Sequence, residues 1–229
     1  MINRWRLAAI AAGLMASGCA SSSYSSVARQ HCADADSQLS VLLAPLEESR
    51  GAGCAAWPTE CDNLRREIER LSLVCPGHTP TLLTNAVIAY ESGQPVKAQQ
   101  FLDRIFERAG SHPDAAILRA RIAVEEGNLP FARRFLEQQI LLAPDQAALR
   151  ETHAGVLYLT GDSEHARIEL NAASELGAPR WRIAYHLGLI EEAQGRMDAA
   201  KRFYSEAVAG NPGFAPARAR LNGLGRGSE

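Results

Sequence analysis

The sequence predicts an all-α protein, an α-solenoid of helical hairpins, and two regular series of small residues carry this prediction. Glycine recurs at a step of 34 residues, and alanine recurs at the same step five positions later: Gly93, Gly127, Gly161 and Gly195, then Ala98, Ala132, Ala166 and Ala200. A period of 34 held over four units is typical of stacked hairpins that bury their apolar faces only against neighbours. The composition agrees, because 46% of the residues are hydrophobic, only 6% are aromatic, and no β-branched runs favour a sheet.

Each glycine of the series is predicted to form the turn between the two helices of one hairpin. It follows an apolar helical stretch and precedes a residue that caps or begins another helix, as in Gln94-Pro95 and Asp162-Ser163. Glycine is favoured there because it adopts the left-handed conformation that ends a helix. A third series of small residues lies seven positions earlier and allows facing helices to approach closely: Ala86, Ala120, Ala154 and Gly188.

These series resemble the tetratricopeptide repeat (TPR), whose pattern has small residues at repeat positions 8 and 20, glycine near 15, a large apolar residue at 24 and proline near 32. Position 24 is Leu102, Leu136, Leu170 and Tyr204 here, and Pro144 and Pro212 occupy position 32. The chain departs from the family at positions 4 and 11, where Leu82 and Ala89 of the first repeat replace the usual Trp and Tyr. The resemblance implies a right-handed α-solenoid with four TPR-like repeats over residues 79–212.

The segments that flank the repeats are predicted to be helical as well. Pro76 lies two periods before Pro144, and an apolar stripe precedes it, so 32–78 is interpreted as a degenerate leading hairpin. The stripe consists of Leu64, Ile68 and Leu71. A solenoid needs a terminal helix to cover its last apolar surface, and Phe214, Ala217, Leu221 and Leu224 share one helical face. We therefore expect a capping helix over 213–224 and a tail over 225–229.

The N-terminal residues 1–18 are predicted to be a lipoprotein signal peptide. Basic residues precede an apolar stretch, Leu7 to Met15, that is too short to span a bilayer, and small residues stand directly before Cys19. The pattern resembles a bacterial lipoprotein signal, which implies that Cys19 is acylated. Because Ala20 rather than aspartate follows, we expect attachment to the outer membrane on its periplasmic face, with 19–31 as a Ser-rich tether. A plain secretory signal is the alternative.

Four further cysteines remain in a compartment that favours disulfides. They allow three pairings, and the leading hairpin selects among them, because its open end brings Cys32 beside Cys75 and its tip holds Cys54 and Cys61. The hypothesis is therefore Cys32-Cys75 and Cys54-Cys61. A zinc site formed by Cys54, Cys61, Cys75 and His78 is the alternative, although no CxxC pair supports it.

No motif indicates catalysis, so we predict no enzyme activity, no catalytic residue, no metal and no cofactor. GxSxG, HExxH and P-loop patterns are absent from the sequence. His153 and His186 lie on first helices of repeats and are interpreted as packed or solvated side chains. The net charge of −2 becomes −4 when residues 1–18, with Arg4 and Arg6 and no acid, are removed, which argues against nucleic acid as a partner.

The resemblance implies that the first helices of the repeats form a concave groove for protein partners. The positions that the resemblance turns toward the groove include Glu151, and the predicted binding residues are Tyr90, Arg121, Tyr158, Arg182, Tyr185 and His186. Tyr and Arg often dominate interface energies, and this mixture suits an amphipathic or extended peptide. Glu191 and Glu192 lie near a helix C-terminus, where the macrodipole disfavours acids, and a basic partner would explain them.

The function expected from these features is that of a non-enzymatic adaptor in the assembly of an envelope complex. It would bind envelope proteins through the concave surface and touch the membrane only through its lipid. Two alternatives stay open, a regulator or enzyme of peptidoglycan hydrolysis and a purely structural spacer. The oligomeric state is not predicted.

Overall fold

The computed structural model describes residues 32–48 and 58–226, and these residues form eleven α-helices and no strand. The helices are α1 (Ala35–Glu48), α2 (Pro58–Val74), α3 (Thr79–Glu91), α4 (Pro95–Ala109), α5 (Pro113–Glu125), α6 (Leu129–Leu142), α7 (Ala147–Leu159), α8 (Ser163–Glu175), α9 (Arg180–Ala193), α10 (Met197–Gly210) and α11 (Ala215–Arg226). The predicted signal peptide, Cys19 and the tether lie outside the described residues. Among those described, no helix combines the length and the apolarity that crossing a bilayer requires.

The chain divides into two compact units between Thr81 and Leu82. The first unit contains the helix pair α1 and α2, which the disulfide between Cys32 and Cys75 joins with Cα atoms 5.4 Å apart. This is the long-range pair that the sequence predicts, whereas the second predicted pair, Cys54-Cys61, lies outside the residues whose side chains are described. The two helices bury a short apolar set, Ala35 and Leu39 from α1 with Ile68 and Leu71 from α2.

The alternative of a zinc site is wrong, because neither Cys75 nor His78, the two proposed ligands that the structure describes, is available to bind a metal. Cys75 is in the disulfide, and both ring nitrogens of His78 have protein partners, Nδ1 at 2.6 Å from the Thr81 hydroxyl and Nε2 at 3.0 Å from Asp36. No group of three or more metal-binding side chains occurs in the described part of the chain.

In the second unit, the glycine series occupies the turns that the sequence predicts. Each of these glycines has a positive φ and separates the two helices of one hairpin: Gly93 at 69°, Gly127 at 75°, Gly161 at 82° and Gly195 at 75°. The second helix of each hairpin begins two residues after the glycine. In three hairpins a capping side chain or a proline favours this helix start. Asn128 and Asp162 accept from backbone N–H groups of the first turn, and α4 begins with Pro95.

The apolar core of this unit passes continuously from one hairpin to the next. Ala98 and Leu102 of the first hairpin pack with Ile122 of α5, and Ala166 and Leu170 of the third pack with Ile183 of α9. Since each hairpin completes its core with a helix of the following one, the unit has the construction of a solenoid. The all-α solenoid fold is thus confirmed.

The last hairpin is covered by α11, as a solenoid terminus requires. Ala217 is fully buried against Ala184 and Ala207, and Phe214 packs at the edge of the same cluster. The helix begins at Ala215 and continues to Arg226, so it extends slightly beyond the predicted range of 213–224.

The fourth hairpin differs from the other three in how its two helices meet. Tyr204 is completely buried at the position that leucine occupies in the earlier repeats. A Cβ added to Gly188, which stands where the earlier repeats have alanine, would lie 2.5 Å from the Tyr204 ring. The missing methyl group on α9 therefore provides the space for the larger ring on α10.

A candidate protein-binding groove

A groove of about 450 Å³ runs along the first helices of three successive hairpins, α5, α7 and α9. The 34-residue step places equivalent residues side by side on these helices, and Gly155 stands between Arg121 and Leu189 at such a position. A Cβ added to Gly155 would meet no atom of the described part of the chain within 4 Å, so the absent side chain leaves the middle of the groove open. Apolar atoms form most of the lining surface. The aliphatic lining residues are Ile117, Ala120, Val124, Val156, Leu159 and Leu189, and the others are Arg121, Glu125, Glu151, Thr152, Gly155, Tyr158, Arg182 and His186.

Glu151 is the electrostatic centre of this groove. Its Oε1 accepts a hydrogen bond from Nε of Arg182 at 2.8 Å and lies 3.1 Å from Nε2 of His186. The residue is buried, and its Oε2 has no hydrogen-bond partner among the described residues. Burial raises the pKa of the Glu151 carboxyl, but the hydrogen bond with His186 and the charge of Arg182 outweigh burial and hold the pKa below its usual value. An ionised carboxylate on α7 thus fixes two side chains of α9.

Arg121 lies at the other side of the groove and is held by neighbours from two helices. Its guanidinium is 5.4 Å from the centre of the Tyr90 ring and 3.6 Å from Glu125. The Tyr90 hydroxyl donates a hydrogen bond to the same carboxylate, and this bond raises the pKa of the Tyr90 phenol. Tyr90 therefore supports the groove through Arg121 and Glu125 and does not line it.

Comparison with known proteins assigns the chain to a family. No protein-family model matches it. A bovine (Bos taurus) protein named tetratricopeptide repeat protein 36 is 30% identical over 127 residues, which cover 53% of this chain and 68% of that protein. The chain belongs to the tetratricopeptide-repeat family. Solved structures of other proteins share this fold at low sequence identity.

A thermophilic TPR protein from Thermus thermophilus is similar with a TM-score of 0.62 and 20% identity, over 72% of this chain and 91% of that one. PilF of Pseudomonas aeruginosa is similar with a TM-score of 0.65 and 11% identity, over 86% of this chain and 90% of that one. These likenesses concern the fold alone, and they agree with the stacked hairpins described above.

Four of the six predicted groove residues of this TPR protein line the groove, and two do not. Arg121, Tyr158, Arg182 and His186 are lining residues. Tyr185, predicted to face the groove, instead packs perpendicular to Phe214 with ring centroids 5.0 Å apart and lies 6.0 Å from the Tyr204 ring. The terminal helix causes this difference, because Phe214 precedes it and draws the Tyr185 ring into an aromatic cluster.

The resemblance places Glu151 at the groove, but its pairing with Arg182 and His186 was not predicted. A signal for it existed in the repeat alignment, because Arg182 and His186 flank the position that Glu151 occupies in the preceding repeat. Opposite charges on facing helices at matching heights indicate an ion pair. Spacing within one helix does not reveal such a pair.

The interpretation of Glu191 and Glu192 as a site for a basic partner is wrong, because intramolecular partners already satisfy both acids. Glu191 pairs with Arg167 and Arg196. Glu192 accepts from the Tyr204 hydroxyl at 2.5 Å and pairs with Arg220 at 3.1 Å. These contacts offset the unfavourable position of the acids near the helix C-terminus.

One hydrogen-bonded trio in the first unit has the residue types of a catalytic triad. His78 stands between the Thr81 hydroxyl and Asp36. Thr81 is completely buried in the first turn of α3, so its hydroxyl has no access to a substrate and the geometric requirement for a nucleophile is not met. The trio connects α1 to the turn before α3.

Glu151 gives the protein an acid-dependent stability. Since folding lowers its pKa from about 4.3 in unfolded chains, the ionised form stabilises the fold fully above that pH, and this stabilisation is lost as the pH falls through the lowered folded pKa. In urea denaturation between about pH 6 and about pH 3, we expect the unfolding free energy of Glu151→Gln to decline less steeply than that of the wild type. Glu175→Gln, on an exposed position of α8, is the control and should keep the wild-type slope. Equal slopes for wild type and Glu151→Gln would contradict the assignment.

Proposed function

We propose that this TPR protein is a non-enzymatic scaffold that holds another protein of the cell envelope in the groove of α5, α7 and α9. The observation that carries the proposal is the groove itself, a largely apolar channel of about 450 Å³ with charged side chains fixed at its walls. This volume lies within the range of sites that enclose small ligands or a few side chains. Extended concave surfaces of repeat arrays are suited to binding peptide segments.

The proposal places the protein at the outer membrane, facing the periplasm, and makes its role one in the assembly of an envelope complex. The N-terminal pattern that ends at Cys19 supports acylation of this cysteine, and multiple acyl chains would anchor the domain stably, at about 0.8 kcal/mol for each buried methylene. The Ser-rich residues 19–31 would then connect the lipid to the folded part. The disulfide between Cys32 and Cys75 fits an oxidising compartment.

Photocrosslinking in intact cells tests the groove. A photoreactive amino acid at Tyr158, which lines the groove, is expected to give one discrete crosslinked protein, whereas the same amino acid at Tyr185, packed in the aromatic cluster, should not. Gly155→Phe should abolish the Tyr158 product, because the new ring enters open groove space. The variant should still fold, because removing a helical glycine does not weaken the helix.

Absence of a product at Tyr158 and at neighbouring groove positions would favour the structural spacer over the scaffold. A product that persists unchanged in Gly155→Phe would place the partner outside the groove. Peptidoglycan-degrading activity of the purified protein would overturn both readings in favour of an enzyme.

Replacement of the proposed lipid-bearing residue tests the anchor. Cys19→Ser should move the protein from the membrane fraction to the soluble periplasmic fraction, because no acyl chain can then be attached. Fractionation followed by immunoblotting measures this distribution, with the variant Ser22→Ala in the tether as the control that stays with membranes. Retention of Cys19→Ser in the membrane fraction would refute the lipid anchor and leave the groove proposal intact.

A further inference from the structure

We infer that the groove recognises a protein segment in which an acidic side chain stands among apolar residues. This inference rests on the proposed function, since it assumes that a partner segment occupies the groove. It adds the chemistry of that segment, which the fold alone does not define.

On α9, the charge that a partner in the groove can reach is positive. The side chain of Arg182 is 43% exposed, whereas that of Glu151, its ion-pair partner, is only 4% exposed. A segment lying in the groove therefore meets the guanidinium and not the carboxylate. At the groove wall, Arg121 and Glu125 are 66% and 54% exposed and lie 3.6 Å apart, so their charges largely compensate each other.

Glu151 leaves most of the Arg182 guanidinium available for a second anion. Only Nε donates to Glu151, and no other side-chain hydrogen bond of Arg182 occurs within the described residues. A guanidinium has five N–H donors in a planar fork that matches a carboxylate. The buried Glu151 thus orients Arg182, and the remaining donors can bind a side-chain carboxylate of the partner. Such charge-assisted pairs are stronger than neutral hydrogen bonds.

A basic side chain is a poor fit at the same place. It would approach the exposed Arg182, while the oxygen of Glu151 without a partner, Oε2, is buried. The groove lining has apolar residues from three helices, with Ile117 on α5, Leu159 on α7 and Leu189 on α9. Several flanking apolar side chains are needed to cover these residues, which indicates an internal stretch of the partner and not a terminal carboxylate.

Peptide selection on the purified full chain tests this specificity. Random 12-residue peptides are displayed with a linker after the last residue, so that none has a free C-terminal carboxylate. We expect the selected peptides to be enriched in Asp or Glu flanked by Leu, Ile, Val or Phe. The strongest binder is then synthesised with an amidated C-terminus, and its Kd is measured by fluorescence anisotropy.

Two changes, one on each side of the proposed contact, should weaken binding by roughly tenfold or more, the usual size for a lost charge-assisted hydrogen bond. The first replaces the acidic residue of the peptide by its amide, and the second is the double variant Glu151→Gln/Arg182→Gln. The double variant is used because Arg182→Gln alone would leave the buried Glu151 charge without its guanidinium. Combined, the two changes should weaken binding little more than either alone. Arg180→Gln, also on α9 with its side chain 89% exposed outside the groove, is the matched control and should bind as the wild type does.

Selection of basic or purely apolar peptides, or of none, would overturn the inference, as would equal affinity of wild type and double variant for the peptide. Enrichment only when the displayed peptides end in a free carboxylate would reassign the contact to a chain terminus and overturn it too. If any of these results came together with a discrete crosslink at Tyr158, the acidic specificity alone would be wrong and the scaffold function would stand.

Discussion

Tyr204→Ala is expected to destabilise the fourth hairpin by about 3–5 kcal/mol, the range for removing a large buried aromatic ring. Tyr204 is completely buried between α9 and α10, and burial together with its hydrogen bond to Glu192 raises the pKa of its phenol. Because each repeat of a solenoid is stabilised mainly by its neighbours, the loss should be local. Hydrogen exchange monitored by mass spectrometry should show fast exchange in α9, α10 and α11, with α5 and α6 still protected.

Tyr204→Phe is the matched control, because it keeps the ring and removes only the hydroxyl that donates to Glu192. It should lose about 1.5 kcal/mol, near the lower limit for a hydrogen bond to a charged group, since Arg220 still pairs with Glu192. Gly188→Ala perturbs the same contact from α9 and should lose roughly 1–3 kcal/mol by overpacking. An Ala variant with wild-type stability would contradict the central role assigned to Tyr204.

Removing the disulfide of the first unit is expected to be similarly severe. The bond closes a loop with a sequence separation of 43, for which chain entropy gives about 4 kcal/mol. Among their described side chains, α1 and α2 bury few large apolar ones, and small helical units of this kind depend on covalent links. In Cys32→Ser/Cys75→Ser, amide exchange in α1 and α2 should approach that of an unfolded chain, while α5 to α8 keep their protection.

Cys54→Ser/Cys61→Ser is the comparison for this experiment, because it changes the same kind of atoms elsewhere in the unit. A bond between these two residues would close a much shorter loop, so its removal should cost only about 2 kcal/mol in the same chain-entropy model. If loss of the long-range disulfide left exchange in α1 and α2 unchanged, the helix pair would be stable without it.

The sequence was sufficient for those parts of the fold that depend on local conformation and on repetition. Gly93 and its equivalents specify the turns because a positive φ excludes most other residues, a constraint that acts within a few residues of chain. Ala98 and Leu102 specify helix contacts that recur at a fixed step. The same turn and the same helix contacts recur in all four hairpins. The fold and the order of the helices could therefore be predicted from the period.

The groove was predicted less completely, because its polar contacts join residues of different repeats. Arg182 and His186 were identified by their type and position, but nothing within α9 indicates that both share one oxygen of Glu151. Tyr185 was assigned to the groove by the same rule and lies in the terminal aromatic cluster, since a repeat rule takes no account of the capping helix beside Phe214.

The sequence by itself therefore determined the period, the turns and the small-residue contacts of this protein, because each is a property of a short segment copied along the chain. Only the tertiary structure decided two contacts, in each of which a residue of one helix fits a residue of another helix. Gly188 lacks the methyl group that alanine has at this position in the earlier repeats, and this leaves room for Tyr204 in place of leucine. The buried carboxylate of Glu151 holds the Arg182 side chain in place. Steric fit and charge pairing depend on distances between helices, and only the packed chain defines those distances.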